Sequence, residues 1–238
     1  MIDKKKFRLI LTNTNNAKIN MAIDKALTLS YEKGDMPILR FYTWESSFTI
    51  GLGQDIENYS SLKDIYNNNY SKRVTGGGVL FHGHDISYSL LLSNDEFAGL
   101  SVKESYERIC QFLLRFYKDI GLNPSFAKDS ESIQLKKDEF CQVGFEAYDI
   151  IVNGNKIGGN AQKRNKKLIF QHGSIPLYKT KEDEKMGISL EDLNINLNFE
   201  DAQKKLIKAF EKSFDAQLIL STLTQNENEN LKKILEGK

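Results

Sequence analysis

Tyr148-Asp149-Ile150-Ile151-Val152-Asn153-Gly154-Asn155-Lys156-Ile157-Gly158-Gly159 is the stretch on which the fold reading turns. Tyr148–Val152 carries the β-branched residues of a strand, and Asn153-Gly154 is the dipeptide of a tight two-residue hairpin. Lys156-Ile157-Gly158-Gly159 begins the return, and Lys167–Phe170 and Ser174–Leu177 continue an antiparallel meander. Upstream, residues 7–12, 38–44 and 48–52 read as strands, and Val79–Leu92 holds one or two more. Ile19, Ala22, Ile23, Ala26, Leu27 and Leu29 recur at helical spacing, and residues 58–70 form a short polar helix. Ser101 opens a capping box with Glu104. The helix behind it presents Val102, Tyr106, Ile109, Leu113, Phe116 and Tyr117 on one face and ends at Gly121. Amphipathic helices follow at 199–214 and about 226–235. Hairpins mixed with helices, without regular βαβ alternation, predict an α+β fold: a mixed, mostly antiparallel sheet flanked by helices.

The 238 residues suit a single domain over 1–238, with its C-terminal helices at about 199–236. Thirty-three basic against 32 acidic residues leave a net charge of +1, which offers no bulk attraction to nucleic acid or to an anionic membrane. No stretch approaches the ~20 apolar residues of a membrane span. No signal core follows the N-terminal Met-Ile-Asp-Lys-Lys-Lys, so a cytoplasmic location is expected. Two cysteines, Cys110 and Cys141, make neither a disulfide framework nor a metal cluster.

Two clusters carry candidate chemistry. In Lys72-Arg73-Val74-Thr75-Gly76-Gly77-Gly78-Val79-Leu80-Phe81-His82, three glycines let backbone approach a ligand, and the cations beside them suit an anion. The same run also reads as a plain glycine turn. It is no Walker loop, because no Gly-Lys-Ser/Thr follows. His82, His84 and Asp85 lack further ligands for a metal, and none is expected. The second cluster runs from Asn153 to Arg164 and ends at Gln171-His172-Gly173-Ser174. Lys156, between a tight turn and two glycines, is either a solvated hairpin lysine or a positioned ammonium. In the second case it would stabilise an oxyanion or, if desolvated, serve as a base. Lys163, Arg164, Lys166 and Lys167 read as solvated, or as facing an acidic partner. Cys141 sits in a polar stretch where a thiol is either accessible or inert, and a nearby cation such as Lys156 would activate it. Cys110, among Ile109, Phe112 and Leu113, reads as core.

These residues resemble a known superfamily, that of the biotin/lipoate protein ligases and lipoyl/octanoyl transferases. The resemblance lies in Arg73-x-Thr75-Gly76-Gly77-Gly78…His82 with Tyr88-Ser89, in Lys156-Ile157-Gly158-Gly159-Asn160-Ala161-Gln162, and in Gln171-His172-Gly173-Ser174-Ile175. Asn20-Met21-Ala22-x-Asp24 and Leu39-Arg40-Phe41-Tyr42-x-Trp44 are similar to two further stretches, so the likeness runs in order over about residues 17–180. Two details resemble the LipM type of octanoyltransferase. One is the length of the run from His82 to Tyr88. The other is Cys141, fifteen positions before Lys156, where that type carries its acyl-accepting cysteine.

The resemblance implies a biotin/lipoate ligase-like catalytic domain and an acyltransferase of lipoate metabolism. In the implied reaction Cys141 takes octanoyl from acyl carrier protein, or from an H protein. It then passes the group to a lysine of a lipoyl domain, such as that of glycine cleavage H protein or dehydrogenase E2. Lys156 stabilises the oxyanion or lowers the Cys141 pKa. Arg73, Thr75, Gly76, Gly77, Gly78, His82, Gly159, Ala161, Gln162 and His172 bind the acyl substrate. A C8 chain buries about seven methylenes at ~0.8 kcal/mol each, enough for a matched tunnel to discriminate length. No cofactor is expected on this reading. The alternatives are an ATP-dependent lipoate ligase, with ATP and Mg and an incidental Cys141, and a non-catalytic protein that binds lipoyl domains or an acyl ligand.

Overall fold

A computed structural model describes residues 4–135, 144–180 and 187–237. A six-stranded mixed sheet organises them, in the order β10-β11-β6-β2-β1-β12. Its strands are β1 (Lys5–Leu11), β2 (Ile38–Thr43), β6 (Asp85–Ser93), β10 (Gly159–Arg164), β11 (Leu168–Pro176) and β12 (Ala216–Ser221). The β10–β11, β11–β6 and β6–β2 pairs are antiparallel, whereas β1 lies parallel to both β2 and β12.

The sheet is covered on both faces, and the alternation along its strands shows why. Leu9, Leu39, Phe41, Leu90 and Ile169 pack with α3 (Val102–Asp119) and α4 (Phe199–Phe214). Ile10, Ile38, Leu91 and Phe170, one residue out of phase, pack with Ile23 and Leu27 of α1 (Ala17–Ser30). Period-two side chains serve two cores from one set of strands. The core on the α3 side is aromatic: Tyr88 meets Phe112, and Phe112 meets Phe210, edge to face at 5.1 and 5.3 Å. The capping box at the start of α3 forms as the sequence predicts, with Ser101 and Glu104 each accepting from the other's backbone N–H.

Two small sheets stand at the margin. One joins β3 (Ser47–Ile50) to β4 (Tyr70–Lys72) and β5 (Leu80–His82), and the glycine loop spans β4 to β5. The other joins β7 (Pro124–Phe126), β8 (Ile150–Val152) and β9 (Asn155–Lys156). In the β8–β9 hairpin Asn153 and Gly154 both take positive φ, +51° and +78°, the signature of a two-residue primed turn.

Three readings change. Residues 167–170 and 174–177 are not separate strands, because β11 pairs without interruption with both β6 and β10. The polar helix expected over 58–70 shrinks to α2 (Ser60–Ile65), preceded by a short 3-10 turn. The segment between the last two helices, α4 and α5 (Gln225–Leu235), contributes the edge strand β12, which the sequence reading leaves unassigned. Among the described residues no helix is long and apolar enough to cross a membrane.

Candidate active site

The floor of the site follows from strand register. Arg40 of β2 lies opposite Ser89 of β6, Ser89 opposite His172 of β11, and His172 opposite Ala161 of β10. Two residues along, Tyr42, Ser87, Ser174 and Gly159 form a parallel row. Both rows project from the α1 face, so polar groups are concentrated where α1 crosses the sheet. They are satisfied among themselves. Arg40, fully buried, donates to Asp24 Oδ1 at 2.6 Å and to Asn20 Oδ1 at 2.6 Å. Tyr42 and Ser89 donate their hydroxyls to Asp24 Oδ2 at 3.1 and 2.8 Å. Burial, the largest single influence, would raise the Asp24 pKa, but the Arg40 guanidinium, His172 and the Ser89 hydroxyl together outweigh it and hold the carboxyl below its usual value.

A similar knot lies under the second row. Asp85 Oδ2 lies 3.1 Å from His82 Nδ1 and accepts the hydroxyls of Ser87 and Ser174 at 3.0 and 2.7 Å. Burial opposes ionisation here too, yet His82 and these donors hold the Asp85 carboxyl down at about 2. His82 stacks on Trp44 with ring centroids 3.8 Å apart, and Trp44 donates to Ser87.

The roof is the glycine loop. Arg73 donates to the Thr49 carbonyl at 3.0 Å and to the Gly78 carbonyl at 2.6 Å, which ties the loop to β3 and to itself. Of the three glycines only Gly77 takes a positive φ, +102°. Its carbonyl passes so close to Gly51 that a Cβ there would stand 1.9 Å from it. Thr75 is buried behind the lining and hydrogen-bonds His172 Nε2 at 2.7 Å, joining roof to floor. Burial lowers the His172 pKa and favours the neutral ring.

Between floor and roof lies a cavity of about 460 Å³, within the usual range for small-molecule sites. One end is walled by Met21, Tyr42, Trp44, His82 and His172. At the other end, Lys156 lies beside Tyr106, Gly144, Glu146 and Asp149. Lys156 is 5 % exposed; its ammonium donates to Asp149 Oδ2 at 2.5 Å and to the Gly144 carbonyl at 2.9 Å. Gly158 sets this end against the sheet. It takes φ +102° where the chain leaves β9 for β10, and a Cβ on it would stand 2.4 Å from the Ser174 carbonyl.

Residues 16–184 of this site-bearing chain match the lipoyl protein ligase A/B catalytic domain. The chain belongs to that family. Among its curated relatives is the octanoyltransferase LipM of Clostridioides difficile (strain 630), 28% identical over 97% of this chain and 95% of its own length. Another is the octanoyltransferase LipM of Bacillus cereus (strain ATCC 14579), 30% identical over 99% and 96%. The fold matches Ta0514 of T. acidophilum, described as a lipoate protein ligase and solved with bound lipoic acid. The TM-score is 0.81 at 22% identity, over 98% of this chain and 95% of that one.

The family's motif segments, scattered in sequence, meet at the cavity. Arg73, Gly76, Gly77, Gly78, His82, Lys156, Gly159, Ala161, Gln162 and His172 all line it, while Thr75 acts from behind. Gln162 also anchors a hydrogen-bonded chain, accepting from Ser105 and donating to Gln171, which in turn donates to Tyr88. Lys72 and Lys163 are exposed. Cys110 is wholly buried, and burial pushes its thiol up to about 12, so it is core. Cys141 lies outside the described residues. Sequence reasoning missed Asp149; the signal was a lone carboxylate at the head of the apolar run Ile150-Ile151-Val152. It also gave no role to Asp24 and Arg40 beyond their place in motifs.

Proposed function

We infer that this chain is an octanoyltransferase of lipoate metabolism, an acyltransferase that delivers an octanoyl group to a lysine of a lipoyl-domain protein. The full-length likeness to octanoyltransferases supports the reaction class. The observation that carries the chemistry is the buried Lys156 ammonium at one end of a cavity roofed by glycine backbone. Its hydrogen bonds to a carboxylate and a carbonyl, which can only accept, suit a cation that stabilises an oxyanion better than a base.

The proposed relay has two steps. The Cys141 thiolate attacks the thioester carbonyl of octanoyl acyl carrier protein and expels the carrier as its thiolate. With an octanoylated H protein as donor it attacks the amide carbonyl, and the lysine leaves as its amine, taking a proton from solvent. The amine of the acceptor lysine then attacks the Cys141 thioester, forms the amide and expels the thiolate, and the amine's proton leaves to solvent. The oxyanion of each tetrahedral intermediate falls to Lys156. The acyl carrier protein donor is already activated as a thioester, so the reaction as proposed consumes no ATP. Cys141 lies three positions before Gly144, whose carbonyl holds Lys156. Three residue steps span at most about 11 Å, a chain length compatible with a role for Cys141 beside Lys156.

Intact-mass spectrometry after mixing with octanoyl acyl carrier protein, without ATP, tests the relay. The expected result is a gain of ~126 Da, one octanoyl replacing one thiol hydrogen, that is absent in Cys141→Ala. Adduct formation that persists in Cys141→Ala, or labelling only with free lipoate and ATP, would end this reading.

A further inference from the structure

The hairpin that carries Lys156 holds a second buried charge with no part in the relay above. Asp149 is 5 % exposed and immediately precedes β8, facing Lys156 across the two-residue turn. Its Oδ2 takes the Lys156 ammonium at 2.5 Å and the Glu146 N–H at 2.7 Å. Its own N–H returns to the Glu146 carbonyl at 3.0 Å, and its carbonyl takes Ala127 N–H at 2.9 Å, beside β7. The carboxylate thus accepts one backbone N–H, and the backbone that carries it is tied on two sides, before it meets the lysine. A flexible four-carbon side chain aimed by one carboxylate and one carbonyl has little freedom left.

We propose that Asp149 is the positioning residue of the transfer reaction, aiming the Lys156 ammonium at the acyl carbonyl and keeping it charged inside the cavity. The role within the reaction rests on the octanoyl-transfer reading; the pairing itself does not. Burial raises the Asp149 pKa and the Lys156 ammonium opposes that rise, so the carboxylate leans on the lysine for its charge at this depth. Among the described residues the other titratable groups lining this end are Glu146 and Tyr106, with Arg73, His82 and His172 lining the remaining walls. Glu146 is exposed, and Tyr106 keeps its proton because burial raises its pKa further. Removing the Asp149 charge while keeping its shape should leave a buried ammonium that sheds its proton more readily.

Two readouts test this on the full chain. Competitive acetylation of Lys156 across pH, read by peptide mass spectrometry, needs no substrate. In Asp149→Asn, Lys156 should be labelled at distinctly lower pH than in the wild type. Single-turnover octanoyl transfer should fall ~100-fold in the same variant, with the loss steepening as pH rises. On a Lys156→Ala background, Asp149→Asn should cost nothing further. An unchanged labelling curve in Asp149→Asn, or additive losses in the double variant, would overturn the proposal. If Asp149→Asn does not fold, Asp149→Glu carries the test. It keeps the charge but moves it by one methylene, so transfer should drop at least tenfold with the labelling curve kept, and full transfer would overturn the role. A wild type that takes no octanoyl at all would refute the relay, while the labelling still decides the Asp149–Lys156 dependence.

Discussion

Both ends of the cavity have buried charge close by, yet they are built differently. At the His172 end, Asp24 and Asp85 sit fully buried in the floor, each surrounded by several donors, with Arg40 and His82 as the respective basic neighbours. Those carboxylates lie below the lining and serve the sheet, α1 and the roof. At the other end Lys156 and Asp149 both line the cavity and are carried by a two-residue hairpin of a three-stranded sheet. The first arrangement fixes a shape, and the second presents a charge. Loss of the first should appear as stability, and loss of the second as rate.

The largest expected effect breaks the floor. Arg40→Met leaves Asp24 buried without its counter-charge and should cost about 3–5 kcal/mol, read as a fall in the denaturant midpoint. A stability near that of the wild type would erase the contrast between the ends. Next, Lys156→Met should slow single-turnover transfer about 10²- to 10³-fold, with Trp44 fluorescence unchanged because the stacked floor is untouched. Gly158→Ala should cost about 2–3 kcal/mol, since the left-handed backbone and the Ser174 carbonyl both oppose a side chain. Gly53→Ala, with open space around its Cβ and no place in the cavity lining, is the control and should be nearly silent.

The smallest effect concerns pH. Asp85 is held at about 2, below its ordinary 3.8. The contribution is therefore complete above about pH 4 and fades as pH falls toward 2, amounting to about 2 kcal/mol. Asp85→Asn should flatten that part of the stability-versus-pH curve. His172 acts in a different window: its neutral form is favoured by burial, so stability should begin to fall as pH drops below about 6.5. A wild-type curve that is flat from pH 4 to 2 would contradict the Asp85 assignment.

Local chemistry was readable in the sequence, and long-range partnership was not. Asn153-Gly154 announced its turn because only a few residue types accept two positive φ values in succession. Ser101 and Glu104 announced their cap because the two partners are three residues apart. The glycine loop and Lys156 were found as motifs, and the structure brings them to one cavity. Arg40, by contrast, finds Asp24 sixteen residues away across a helix–sheet contact, and periodicity says nothing about such a pair. Strand β12 was missed for the same reason: its partner β1 lies at the other end of the chain. Arg73 suggested an anion site by its charge, but which acceptors its guanidinium meets depends on the folded path of the loop.

A crystal structure of the octanoylated protein tests the central claim most directly. It should show the alkyl chain inside the cavity between the glycine loop and the His172 floor, with the acyl carbonyl oxygen within about 3 Å of Lys156 Nζ. An octanoyl chain lying outside that cavity, or a carbonyl turned away from Lys156, would contradict the account.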